Sequence, residues 1–128
     1  MELVNLELHI PDDEPKVRVY ENYVVFNAAA KTLLGIGNGD YVQFWVSRFG
    51  QINGKPWLYV GKTKNIFGYS VRRRLNTMRV NSRSLARMLR QQLDGAGCYH
   101  ICPDDTELVD GEVRYNIFFK NYDKKDSD

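Results

Sequence analysis

Acid is missing from the middle of this 128-residue chain. From Tyr41 to Leu93 there is no Asp or Glu, while eleven bases stand there: Arg48, Lys55, Lys62, Lys64, Arg72, Arg73, Arg74, Arg79, Arg83, Arg87 and Arg90. The flanks reverse the balance, with seven acids against three bases before Tyr41 and nine against four after Leu93, so a net charge of +2 conceals a basic block between acidic ends. Such a block is the electrostatic footprint expected where phosphates are bound. A surface neutralised by the acidic flanks folding back is the plainer alternative.

Other scarcities exclude whole classes. No apolar run approaches the roughly 18 residues that cross a bilayer, and the opening MELVNLELHIPDDEP lacks the basic-then-apolar order of a signal peptide. The expectation is a cytoplasmic protein with no membrane partner. There are only two cysteines and two histidines. Cys98 and Cys102 fall on one predicted strand, which sets their Cα atoms about 13 Å apart, beyond disulfide reach. Cys98, His100 and Cys102 share a face of that strand, but their spacing is not that of a zinc knuckle and His9 is distant, so small thiols facing the interior are expected instead. With no GxSxG, no P-loop spacing in GKTKN and no reactive cysteine context, neither catalysis, metal nor cofactor is expected.

What is present describes a folded domain. Hydrophobic residues make up 43% of the chain and charged residues 27%, with eight Tyr and six Phe, an ordinary globular composition. One domain is expected over residues 1–122, with 123–128 (DKKDSD) as a disordered tail.

Leu3 to Ile10 reads as a strand or arm broken by PDDEP. Lys16 to Tyr20 and Tyr23 to Phe26 make a hairpin across Glu21 and Asn22. Asn27 is an N-cap for the helix AAAKTLL, ended by Gly35. Tyr41 to Ser47 and Trp57 to Val60 are strands, the first apolar on both faces, joined through Asn53-Gly54, the strongest hairpin signal in the chain. Ser70 to Leu75 suits a strand or a loop. Asn81 or Ser82 caps a helix reaching about Leu93, with Leu85, Met88, Leu89 and Leu93 as its buried stripe. Tyr99 to Cys102 and Val113 to Phe119 form a last strand pair across an acidic turn, PDDTELVDGE.

Two resemblances bear on this order. The run VRVYENYVVFNAAAKTLLGIGNGDYVQFWV resembles the AbrB/MazE/SpoVT swapped-hairpin family, through Val24, Val25 and Phe26, then Leu34-Gly35-Ile36, then Gly39-Asp40 with Val42 and Phe44. It spans about residues 16–60. The resemblance implies two chains interleaved into a DNA-binding barrel, hence a homodimer. GDYVQFW with NGKPWLYVGKTKN is similar to the hairpin of the GIY-YIG nucleases, which would place Tyr41 and Tyr59 at the tyrosine positions, Gly61 after the second, and Arg72 or Arg73 as a catalytic arginine. Such a nuclease needs a carboxylate to hold its metal. The first acid after Asp40 is Asp94, so this match is treated as a coincidence of hairpins.

Arg83, Arg87 and Arg90 fall on one helix face as a ridge about 10 Å long, near the spacing of successive phosphates. Tyr41, Trp45, Trp57, Tyr59, Phe67 and Tyr69 are interleaved with Lys62, Lys64 and Arg72 to Arg74, a mixture suited to base stacking with phosphate neutralisation; about two of the six are expected to be exposed. The expected fold class is α+β: a swapped-hairpin-like β unit, then an amphipathic helix and further antiparallel strands. The expected function is noncatalytic binding of nucleic acid, DNA first, through Arg72, Arg73, Arg74, Arg79, Arg83, Arg87, Arg90, Lys62 and Lys64. The alternatives are an interaction or assembly module whose basic centre meets the acidic flank of another copy, and, behind it, the nuclease.

Overall fold

The computed structural model describes residues 14–52 and 55–123, with only the backbone for 48–52 and 55–56. The segment read as a strand or arm over 3–10, His9, the Asn53-Gly54 turn, the side chains of Arg48 and Lys55, and the tail beyond Asp123 lie outside the described residues.

Strict alternation makes the first hairpin. In β1 (Lys16–Val19) and β2 (Val24–Phe26) every second side chain, Val17, Val19, Val24 and Phe26, is buried. Tyr20 N–H donates to the Tyr23 carbonyl to close the turn. α1 (Ala28–Leu34) begins where Asn27 accepts from Ala30 N–H at 2.9 Å. The same Asn27 oxygen accepts from Lys16 N–H at 3.0 Å, so the cap also fastens the helix to β1. Gly35, at φ 67°, ends it and donates to the carbonyls of Lys31 and Thr32, a conformation in which a side chain would be strained.

The remaining elements are β3 (Tyr41–Ile52), β4 (Lys55–Thr63), β5 (Tyr69–Ser70), β6 (Arg72–Arg74), β7 (Thr77–Val80), α2 (Arg83–Gln92), β8 (Gly97–Val109) and β9 (Glu112–Ile117). All pair antiparallel in the order β5-β3-β4-β9-β8-β1-β2-β7-β6. The two ends of this order are one stretch of chain. β5 pairs with β3, β6 pairs with β7, and only Val71 stands between them, fully buried, its N–H donating to the Asp40 carbonyl and its carbonyl accepting from Gly39 N–H. The sheet therefore curls into a nearly closed barrel.

This corrects the α+β expectation. The fold is mostly antiparallel sheet, and among the described residues there are two short helices. The stripe of α2, with Ala86 added to Leu85, Leu89 and Leu93, belongs to the same core as Val17, Phe26, Met78, Tyr99 and Ile101; it does not cover one face of an open sheet. Met88 is only half-buried at its edge. Strand closure depends on pairs such as β4 with β9 and β1 with β8, far apart in sequence, which local periodicity does not report.

Two further readings change. The acidic stretch expected as a turn is strand: β8 runs to Val109, and the turn is the pair Asp110-Gly111, at φ 54° and 79°, the two left-handed residues of a tight hairpin. Cys102 and Thr106 face the adjacent residues Asn116 and Tyr115, so Pro103, Asp104 and Asp105 bulge out of the ladder. Of the two thiols expected inside, Cys98 is buried and Cys102 only half-buried, both on the strand face opposite Tyr99. Tyr99 and Ile101 fill the core, which puts Cys98, His100 and Cys102 on the outer face, where Tyr122 lies edge-on to His100 at 4.8 Å and Glu14 meets it at 3.5 Å. Of the expected tail, Asp123 is described, and its carboxylate accepts from Arg18 at 2.7 Å. Among the described residues no helix is long and apolar enough to cross a membrane.

Candidate nucleic-acid interface

The basic residues gather around the β1–β2 turn. In the β6–β7 ladder Arg72 stands directly opposite Arg79, and like charges so placed repel. Arg79 turns away onto an aromatic face: its guanidinium lies 3.6 Å from the centroid of Tyr23, which stacks on Tyr20 at 4.6 Å. Cation–π contact replaces part of the lost hydration. Arg79 Nε is nevertheless buried with no hydrogen-bond partner.

The helix reaches the same turn from its other side. Ser82 caps α2 by accepting from Leu85 N–H at 3.1 Å, which orients the 3.6-residue repeat so that Leu85 and Leu89 enter the core and the arginines face out. Arg90 donates to the carbonyls of Tyr20 at 2.9 Å and Glu21 at 2.5 Å. A groove of about 360 Å³ opens between turn and helix, lined by Glu21, Asn22, Arg83, Arg87 and Arg90. The turn thus links Arg72 and Arg79 on one flank with Arg83, Arg87 and Arg90 on the other.

Arg74 continues this face on β6 while Arg73, paired with the buried Met78, leaves the strand from its other face; all three arginines are exposed. Asn38 Oδ1 accepts from Arg73 N–H at 2.9 Å and pins the strand to the loop before β3. Among the described residues, ion pairs join Arg18 with Asp123, Lys62 with Asp40 and His100 with Glu14. None of Arg72, Arg73, Arg74, Arg79, Arg83, Arg87 and Arg90 has a carboxylate partner there.

Lys62 and Lys64, unlike those arginines, have acidic neighbours among the described residues. Lys62 sits 3.6 Å from Asp40, and Lys64 N–H donates to Glu112, beside a groove between β4 and β9. Lys62 and Tyr69 both pair with Val42, and Thr63 and Ser70 both pair with Tyr41, so the end of β4 lies two strands from β5, which leads directly into the arginines of β6. The expected pair of exposed aromatics reduces to one: Phe67 is 86% exposed, while Tyr59 is buried and Tyr41, Trp45, Trp57 and Tyr69 are half-buried. The aromatic residues that do meet the arginines, Tyr20 and Tyr23, were read from the sequence only as strand ends. Their position on both sides of a two-residue turn is the signal that would have singled them out, since it sets two rings side by side.

Outside this surface the chemistry is quiet. Burial pushes both thiols up, helped at Cys102 by Asp105 and Asp104, so both are protonated and weakly nucleophilic at neutral pH. Tyr41 pairs with Thr63 and Trp45 with Tyr59, which sets Tyr41 and Tyr59 four rungs apart on the β3–β4 ladder. Among the described residues no three His, Cys, Asp or Glu are grouped to hold a metal ion. Comparison of the chain with models of protein families, with curated proteins and with solved structures gives no match.

Proposed function

We propose that the protein binds nucleic acid, with duplex DNA as the polymer, and does not cleave it. The observation that carries this reading is a set of arginines, Arg72, Arg79, Arg83, Arg87 and Arg90, that have no carboxylate partner among the described residues and are joined across the Tyr20–Tyr23 turn. Arginines held within one another's reach without acids repel, and an anionic polymer removes the repulsion while releasing its counterions. Contacts of this type go to phosphate and position the protein without reading sequence.

Titration of fluorescent duplex and single strands at two salt concentrations tests it. Affinity for duplex should fall with salt with a log–log slope of about −0.9 for each phosphate neutralised, hence about −4.5 for five arginines. The double reversal Arg83→Glu with Arg87→Glu should weaken binding about 100-fold without unfolding the protein. Arg90 is left in place because it holds the turn. No binding of either strand form at low salt would sink the reading.

A second reading is an assembly module, favoured by the exposed acids Asp104, Asp105 and Glu107 on the outer run of β8. In it the acidic strand of one copy meets the arginines of another, making the homodimer. Light scattering then gives twice the 14.9 kDa chain mass, and the same double reversal returns it to one chain.

A further inference from the structure

We propose that the β6–β7 hairpin is a wedge that inserts Leu75 between base pairs of duplex DNA and bends it; the inference rests on the nucleic-acid reading above. The turn is two residues, Leu75 and Asn76, between the partners Arg74 and Thr77. Leu75 has φ 57° and is 90% exposed. Left-handed positions of tight hairpins select Gly, Asn or Asp, because a branched carbon chain there crowds its own backbone. A leucine at that position is strained, and at 90% exposure it gains almost no burial in return. Nothing in the fold asks for it, and strain kept at an exposed tip is a reason to look for function.

The tip is held in shape. Thr77 Oγ1 donates to the Arg74 carbonyl at 2.8 Å, and Arg73 Nε donates to the Leu75 carbonyl at 3.3 Å. Behind it Arg72, Arg73 and Arg74 are all exposed. The pairing of β7 with β2 ends at Met78, so the tip from Arg74 to Thr77 stands beyond it, and one apolar side chain advancing ahead of arginines is the arrangement that pries a base step apart while the cations hold the phosphates. A membrane surface fits less well. Attachment to lipid grows with the apolar area inserted, whereas Leu75 stands alone beside Asn76; the exposed Ile66 and Phe67 belong to the loop at the opposite end of the β5–β6 segment, and the exposed Leu108 and Val113 to the β8–β9 hairpin.

The test uses a duplex of about 20 base pairs carrying a donor and an acceptor dye at its ends and 2-aminopurine within, which brightens when unstacked. Anisotropy on the same duplex reports binding. Wild-type protein should raise energy transfer and 2-aminopurine fluorescence together. Leu75→Asn, which suits the left-handed backbone and keeps the fold, and Leu75→Ala should bind within about threefold of wild type, since the phosphate contacts remain, yet lose both signals. Wild-type binding without either signal, or full signals from Leu75→Asn, overturns the wedge and leaves the nucleic-acid reading standing. No binding of duplex by wild type overturns both. Binding of phosphatidylcholine–phosphatidylserine vesicles that disappears in Leu75→Asn, in the absence of DNA binding, would assign the tip to membranes and also overturn the proposal.

Discussion

The hairpins β6–β7 and β8–β9 each reverse the chain with two residues, and they are built on opposite terms. The second turns on Asp110-Gly111, whose left-handed angles suit both residues, and it lies against β4: a Cβ on Gly61 would run into the Val113 carbonyl, and Glu112 accepts from Thr63 Oγ1 and Lys64 N–H. The first turns on Leu75-Asn76 and exposes three arginines and a leucine. In the acidic hairpin, turn, packing and hydrogen bonds all serve folding. In the basic hairpin the backbone ladder serves folding while the tip and side chains do not. That difference sets a tip that folding explains apart from a tip that folding leaves unexplained.

The largest expected effect is in the acidic hairpin's close approach to β4. Gly61→Ala should cost about 3 kcal/mol, because the obstacle is backbone and cannot swing aside. Urea unfolding measures it, and an unchanged midpoint would mean that β9 is not seated on β4, ending the contrast drawn above.

The next effect lies at the root of β8. Tyr99 is fully buried, its hydroxyl donates to the Gly95 carbonyl and accepts from Asp94 N–H, and burial pushes its pKa up to about 12. The unfolded chain releases this proton near 10 and the folded chain near 12. Stability from this group is therefore complete below pH 10 and declines as pH rises to 12, by on the order of 2 kcal/mol. Tyr99→Phe should flatten that decline while lowering stability at pH 7 by about 1 kcal/mol through the lost hydrogen bonds. Parallel alkaline slopes in the two proteins would refute the assignment.

The smallest effect is the sharpest comparison of the two tips. Gly111, at φ 79°, has open space where a Cβ would stand, so Gly111→Ala should cost about 1 kcal/mol of backbone strain alone. Leu75→Gly should do the reverse, leaving stability unchanged or raising it by about 0.5 kcal/mol. Thermal melts decide, and a clear loss from Leu75→Gly would mean that the leucine packs against something and is not free at the tip.

Much of this was readable in advance wherever neighbours in sequence set the outcome. Asn27 and Ser82 cap their helices, Gly35 ends the first, and Val17, Val19, Val24 and Phe26 alternate inward, each by a rule acting over four residues or fewer. Asp110-Gly111 obeys an equally local rule, but the acidic run around it was taken for a loop because charge masks strand periodicity. The ridge of Arg83, Arg87 and Arg90 was legible from helical spacing. Its junction with Arg72 and Arg79 was not, since that depends on Tyr20 and Tyr23 on a distant turn.

The sequence by itself determined the charge division, the two helices with their caps, the first hairpin and the buried stripe of the second helix, because propensity, capping and amphipathic period act within a few residues. Only the tertiary structure decided that the strands close into a barrel, that Lys62 meets Asp40 and Lys64 meets Glu112, and that Tyr20 and Tyr23 join the arginines. Each of these follows from pairing between strands far apart in the chain, where register is set by which faces must be buried together and no local pattern records the partner.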